Sequence, residues 1–362
     1  MIVIFVLWFL AAEAALTAVQ LPFYRKKPKK AAHILLIAGK ALLGILFAVI
    51  ALAGPVQLRI VQPLMMALYV ALLTDAAADA VYGVYCAVRK KERSFGAAKT
   101  ASLLCGAAFL VFGILNMQTV KPNAHVYTSE KLQTGHTFVF LADLHVGSAQ
   151  SAAVNEKTVK DIGALHPDFI VLGGDIVDDY TAKEEMETVF RLFGELETPV
   201  YYIFGNHDRQ GHAQYAGGRK FTPEELEQTL ADCGITVLKD EFVQIAPDLV
   251  LLGREDISEA GRADAQTLVN PAPEAYLIVA DHQPGQFKQN LAVGTDLQVS
   301  GHTHAGQLFP LQAMYRLIGY CSGDYTEGDA IMNVSAGACG WRMPIRTDGR
   351  CNYEVITLEP ET

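Results

Sequence analysis

Five short segments of this 362-residue sequence place oxygen and imidazole donors directly after runs of β-branched, aromatic and aliphatic residues. Phe138 to Leu141 leads into Asp143-Leu144-His145, and Phe169 to Leu172 into Gly173-Gly174-Asp175-Ile176-Val177-Asp178. Val200 to Phe204 leads into Gly205-Asn206-His207-Asp208, Tyr276 to Val279 into Asp281-His282, and Leu297 to Val299 into Gly301-His302-Thr303-His304. Carboxylate oxygens and neutral imidazole nitrogens both bind Mn, Fe or Zn ions, and glycines beside them let the backbone turn tightly. One Asp or His at a strand end is as readily a cap as a ligand. Five such segments in series point to a metal centre.

The apolar runs are the elements that must position those donors. In α/β folds ligand sites gather at the carboxyl ends of strands, so the five segments are expected to converge in space. From Pro122 onward β-rich runs alternate with helix-like segments, the pattern of a layered α/β domain. One helix is well marked: Thr222 is placed as N-cap, Pro223 at the first helical position, Glu225 completes a capping box, and Gly234 stops the helix. His212 to Lys220, with Gly217-Gly218, reads as a surface connector or a lid. With no internal repeat, residues 120–362 are expected to form one catalytic domain.

The first third is different in kind. The chain is 51% hydrophobic, and the excess lies in four apolar stretches at about 2–22, 32–54, 60–87 and 100–118. These predict a four-helix transmembrane anchor over residues 1–119. Met1 is followed by no basic segment and no cleavage site, so the first stretch is expected to be a retained span. Arg25, Lys26, Lys27, Lys29 and Lys30 follow the first span and Arg89, Lys90, Lys91, Arg93 and Lys99 the third, whereas only Arg59 follows the second. The positive-inside rule then puts the catalytic domain outside the cytoplasm, in a multi-pass protein of a bacterial cell membrane with the lipid bilayer as partner. Within the spans Glu13, Lys40, Asp75 and Asp79 are costly in lipid. Asp75 and Asp79 share a helical face; the acids either sit near an interface or pair with Lys40, or they mark a lipid-substrate or partner site.

Charge divides at the same place. Residues 1–120 hold twelve Lys/Arg against four acids, leaving 17 basic and 35 acidic residues after them, so the net −10 is +8 and −18. A domain at −18 disfavours nucleic acid as a partner, although bound divalent cations reverse the sign locally. The six cysteines have no CxxC spacing, and the four after residue 120 are open to pairing or to remaining free thiols.

The segments D-x-H, G-D-x-x-D, G-N-H-D, a later single His and G-H-x-H, in that order, closely resemble the calcineurin-like metallophosphoesterase family over about Gly135 to Leu358. The resemblance implies a four-layer α-β-β-α sandwich holding two divalent metal ions. Carried over, Asp143, His145, Asp175 and His304 would hold the first ion, and Asp175, Asn206, His282 and His302 the second. The implied activity is that of a metal-dependent phosphoric ester hydrolase, cleaving a phosphomonoester, phosphodiester or pyrophosphate with a metal-bridging hydroxide. His207 would be the general acid or transition-state stabiliser, oriented by Asp178; Asp208 is expected to cap locally. The family's Ser/Thr protein phosphatases carry Arg where Asp179 stands, which argues against protein substrates. Gly301 to Gln307 and Pro344-Ile345-Arg346 before a last strand, Tyr353 to Leu358, look like the bacterial membrane-associated or exported branch. Arg342 and Arg346 are placed to grip a second phosphate or to form salt bridges. A small-molecule or lipid-linked phosphoester is the expected substrate. The alternatives are a cytoplasm-facing nucleotide-lipid pyrophosphatase and a non-catalytic membrane sensor that retains the fold.

Overall fold

The computed structural model describes residues 2–25, 29–53 and 62–361; the loop residues Lys26, Lys27 and Arg59 lie outside them. The chain divides into two compact units, Met1–Leu115 and Asn116–Thr362.

The first unit is built on α1 (Ile2–Arg25), α2 (Lys30–Ala53), α3 (Gln62–Val88) and α4 (Phe95–Met117). Helices of 23 to 27 residues are about 35–40 Å long at 1.5 Å per residue, against a hydrocarbon layer of about 30 Å. All four are long and apolar enough to cross a membrane. α3 is the central helix, with Met66, Ala67, Tyr69, Val70 and Ala71 fully buried. The others turn aliphatic faces outward, among them Val19, Leu35, Leu42 and Leu104. Lys40 bridges Asp75, at 2.7 Å, and Asp79, so the shared face of those acids is read by one ammonium.

The second unit runs β1 (Val120–Ser129), β2 (His136–Leu141), α5 (Ala152–Gly163), β3 (Phe169–Gly173), α6 (Lys183–Gly194), β4 (Val200–Ile203), α7 (Pro223–Asp232) and β5 (Thr236–Val237). It continues with β6 (Glu241–Ala246), β7 (Leu249–Gly253), β8 (Tyr276–Ala280), α8 (Phe287–Asn290), β9 (Leu297–Ser300), α9 (Leu311–Ile318), β10 (Gly323–Glu327), β11 (Ala330–Val334) and β12 (Cys351–Pro360). Two six-stranded sheets form, in the orders β1-β12-β2-β3-β4-β5 and β10-β11-β9-β8-β7-β6. β2 to β5 are parallel neighbours, as are β7, β8, β9 and β11, so their carboxyl ends lie on one edge of each sheet. β1 contains Pro122, which gives up a ladder donor and is accommodated because β1 is an edge strand.

Alternation along each strand builds the layers. Phe138, Phe140, Phe169 and Val171 point between the sheets and meet Leu249, Leu251, Ile278 and Val299. Their neighbours Val139, Leu141, Ile170 and Leu172 point outward against Val159, Ile162, Met186, Phe190, Phe193, Leu226 and Leu230 of α5, α6 and α7. Period two thus buries both faces of the central strands. The outer face of the second sheet is covered more thinly, by short turns and the four-residue α8. The marked helix forms as its sequence dictates: Thr222 Oγ1 accepts from Glu225 N at 3.2 Å, Thr222 N donates to the Glu225 carboxylate at 2.7 Å, and Gly234 follows with φ +70°.

Candidate metal centre

All five donor segments leave the carboxyl ends of parallel strands: β2, β3 and β4 of the first sheet, β8 and β9 of the second. Two clusters result. The donor atoms of Asp143, His145 and His304 lie within 4.8 Å of one another, and so do those of Asp175, His282 and His302. Asp175 faces both, with Oδ2 3.1 Å from His282 Nε2 and 3.9 Å from His145 Nε2. Asp143 is oriented by the His302 backbone N–H, which donates to its carboxylate at 2.9 Å. Asn206, in the loop after β4, has its Oδ1 buried.

The local backbone is unusual. Asp143, His145, Asp175, His302 and His304 all have positive φ, between +43° and +71°, at a cost of roughly 1–2 kcal/mol each for an L-residue. Such outliers persist only where the surroundings enforce them, and they concentrate at functional sites. Gly174 permits a close approach: at φ +84°, a Cβ there would come within 2.6 Å of Gly205 N and 2.8 Å of His282 Nδ1.

Asp143, His145, Asp175, Asp178 and His282 are fully buried or nearly so, and carboxylates in such a setting need cations. Here the imidazoles answer them. Burial works against a proton on His145, yet Asp178 and Asp175 hold its pKa up at about 9. Burial likewise opposes the His282 proton, and Asp175 overrides it, raising that pKa. His302 and His304 go the other way, pushed down by burial and by His282 and His145 respectively, His302 to about 4. His145 Nε2 and Asn206 Oδ1 are buried with no hydrogen-bond partner, which is costly for a polar atom unless a ligand takes it. The ring nitrogens away from the clusters are anchored: His282 Nδ1 lies 2.9 Å from Gly173 O and His304 Nδ1 3.0 Å from Cys339 O. Backbone carbonyls that fix the tautomer and turn the other nitrogen inward are the usual support of a metal-binding imidazole. The residues therefore fit divalent cations.

Two expectations need correction. Asp178 does not orient His207. Its Oδ2 lies 3.2 Å from His145 Nδ1, and its Oδ1 accepts from Tyr180 N at 2.8 Å. The His207 imidazole is held instead by Asp179, with Nδ1 2.9 Å from Asp179 Oδ2. The tight turn after Asp175 sends adjacent carboxylates to opposite imidazoles, and sequence spacing did not reveal which went where. Second, Arg346 grips no exposed anion and makes no carboxylate salt bridge among the described residues. It is fully buried and donates to the carbonyls of Gly337, Cys339 and His304. That guanidinium ties the His304 loop to the loop before β12.

Asp281 also stays outside both clusters, taking a bidentate Arg262 at 3.0 and 2.6 Å and Asn290 at 2.8 Å. Asp208 accepts from the backbone N–H groups of Gly205, Asp175 and Val177. Burial and the Asp175 carboxylate push the Asp208 pKa up to about 6. Trp341, which sequence reasoning passed over, lies beside His207 with ring centroids 5.3 Å apart, and the Arg342 guanidinium lies over the Trp341 ring at 3.8 Å. His212, at the head of the connector, has its ring 6.0 Å from His207. The six cysteines are free thiols.

Fold and donor set together define a metal-binding α/β sandwich. Residues 136–306 match the model of the calcineurin-like phosphoesterases, and the chain carries a domain of that family. A Helicobacter pylori protein named an uncharacterized metallophosphoesterase is 28% identical over 242 residues, which cover 64% of this chain and 62% of that one. A Danio rerio transmembrane protein with metallophosphoesterase domain is 24% identical over 284 residues, covering 71% of this chain and 62% of its own length. The Bacillus subtilis metallophosphoesterase YkuE is 24% identical over 287 residues, 73% of this chain and 94% of that one. The chain thus spans less than two thirds of the length of the first two relatives.

Proposed function

We propose that this chain is a membrane-anchored phosphoesterase that hydrolyses phosphomonoester or phosphodiester bonds with two divalent metal ions, on a small-molecule or lipid-linked substrate. The observation that carries this reading is the pair of Asp/His clusters, with Asp175 of one 3.9 Å from His145 of the other and with His145 Nε2 and Asn206 Oδ1 buried and unmatched. Asp143, His145, Asp175 and His304 would hold one ion and Asp175, Asn206, His282 and His302 the other. Bound there, the ions would supply Lewis acidity toward a phosphoryl oxygen and an attacking water. His207 Nδ1 is engaged by Asp179, which leaves Nε2 to carry a proton to the departing oxygen. Burial lowers the His207 pKa, but Asp175 and Asp179 outweigh it and raise the value, which favours the protonated ring that an acid needs. Trp341 beside it offers an apolar wall.

Four apolar helices and a relative named as a transmembrane protein support the membrane anchor. The bacterial relatives support a bacterial membrane, and the basic first and third loops support an outward-facing domain. Full-length protein in detergent with Mn²⁺ should hydrolyse generic aryl phosphomonoesters or diesters, and Asp175→Asn should abolish this. Wild type and Asp175→Asn equally inert across a broad phosphoester panel would overturn catalysis. A C-terminal domain left uncut by protease added to intact spheroplasts would overturn the outward placement.

A further inference from the structure

Among the described residues of the first unit, Glu13 of α1, Lys40 of α2, Asp75 and Asp79 of α3 and Lys99 of α4 form one cluster. Lys40 Nζ is 2.7 Å from Asp75 Oδ2 and also pairs with Asp79. Lys99 Nζ is 2.5 Å from Asp75 Oδ1 and 3.7 Å from Glu13 Oε2. Gln20 Nε2 donates to Asp75 at 2.7 Å, Tyr24 to Asp79 at 2.9 Å, and Ser102 to Glu13 at 3.2 Å. Glu13, Lys40, Asp75 and Asp79 are each at most 6% exposed. Fully ionised, these three carboxylates against two ammoniums leave the cluster itself with one negative charge inside an apolar bundle, which is costly. The Gln20 amide oxygen is buried and accepts no hydrogen bond, so the cluster also holds an unused acceptor.

We propose that this cluster binds one exchangeable proton and that Glu13 is the carboxyl that carries it. The inference rests on the membrane-embedded reading of the bundle. Asp75 has three donors and Asp79 two, all at ion-pair or hydrogen-bond distance, and protonating either would forfeit close contacts. Among the described residues Glu13 has only the Ser102 hydroxyl at 3.2 Å and Lys99 at 3.7 Å, so a proton there displaces least. Glu13 also lines a cleft of about 300 Å³ between α1 and α4, with Leu10, Thr17, Lys99, Thr100 and Leu103. The charged and titratable groups around Glu13 are Lys99 of α4, Asp75 and Asp79 of α3 and Lys40 of α2. Farther along lie Tyr24, His33 with its ring 5.2 Å from that of Tyr24, and Arg93, which is exposed and sits against Gly83.

Dicyclohexylcarbodiimide reacts with protonated carboxyls in apolar surroundings and tests the assignment on full-length protein in detergent or vesicles. Peptide mass spectrometry should find the adduct on Glu13, with yield falling as pH rises, and E13Q should lose it. Infrared spectra of the same protein should show a protonated-carboxyl band that E13Q lacks, a readout independent of reagent access. Absence of that band, or adduct formation blocked by Na⁺ at fixed pH, overturns the proposal, the latter by showing that a metal cation neutralises the cluster. Release of the chain from membranes by alkaline carbonate would instead overturn the membrane reading, and the infrared band still reports on Glu13.

Discussion

The helical unit and the sandwich unit each bury a knot of carboxylates, and they neutralise it in different ways. In the helices two counter-charges are the chain's own, Lys40 and Lys99 reaching Asp75 at 2.7 and 2.5 Å, and the third carboxyl, Glu13, is the proposed proton site. In the sandwich no lysine or arginine among the described residues pairs with Asp143 or Asp175; imidazoles stand in, and His145 Nε2 and Asn206 Oδ1 are left without partners. A buried acid beside a lysine is a finished ion pair, whereas one beside several imidazoles with idle acceptors is prepared for a cation from solution. Residue type beside the carboxylate therefore separates the two kinds of knot.

The largest break in this comparison should come from Asp175→Asn. Loss of the carboxylate that faces both clusters should lower kcat/KM beyond the roughly 100-fold that even an outer hydrogen-bond partner can contribute. Metal content by elemental analysis should fall with it. In the helices, Lys40→Met leaves Asp75 and Asp79 short of a counter-ion and should destabilise the bundle by about 3–5 kcal/mol, measured by unfolding in detergent. A loss within error would mean that the lysine is not the partner that matters. Next come the two adjacent carboxylates of the β3 loop. Asp178→Asn should weaken metal affinity about 10–100-fold through His145, while Asp179→Asn should leave affinity intact and lower kcat by a similar factor through His207. Identical effects on metal content would dissolve the distinction.

The smallest effect is a proton count. With its pKa held at about 9, His145 is protonated at neutral pH in the metal-free protein and must become neutral to bind a cation. Calorimetric titration with Mn²⁺ in buffers of different ionisation enthalpy should show proton release near pH 7.5. The sign for stability follows from the same shift. The folded value lies above the unfolded one of about 6.5, so this stabilisation is complete below about pH 6.5 and fades as pH rises through about 9. Metal-free protein should lose melting temperature over that window, and metal-loaded protein should not.

Much of the sandwich was legible because its signals are local. A short apolar run ending in Asp, Asn or His marks both a strand and its carboxyl end, and Thr222 to Gly234 carries its own start and stop. Lys40 as partner of Asp75 and Asp79 was legible too, since i, i+4 acids share a face. What stayed hidden depended on long-range geometry. Asp178 and Asp179 are neighbours in sequence and diverge only because the turn after Asp175 does. Arg346 has the charge of a surface residue, and only the fold shows that backbone carbonyls surround it. Gln20 and Lys99 reach Asp75 across 55 and 24 residues, distances over which periodicity carries no information.

The left-handed backbone at Asp143, His145, Asp175, His302 and His304 bears on which sequences this site can accept. Apart from glycine, the side chains that most readily occupy that region are Asn, Asp and His. Those are also the residues whose short side chains offer oxygen or imidazole donors to a transition metal. Backbone conformation and coordination chemistry thus select the same three-letter alphabet. Glutamate would keep the charge and glycine the conformation, but each meets only one demand, so the positions have little room to drift even where a substitute donor could reach the ion.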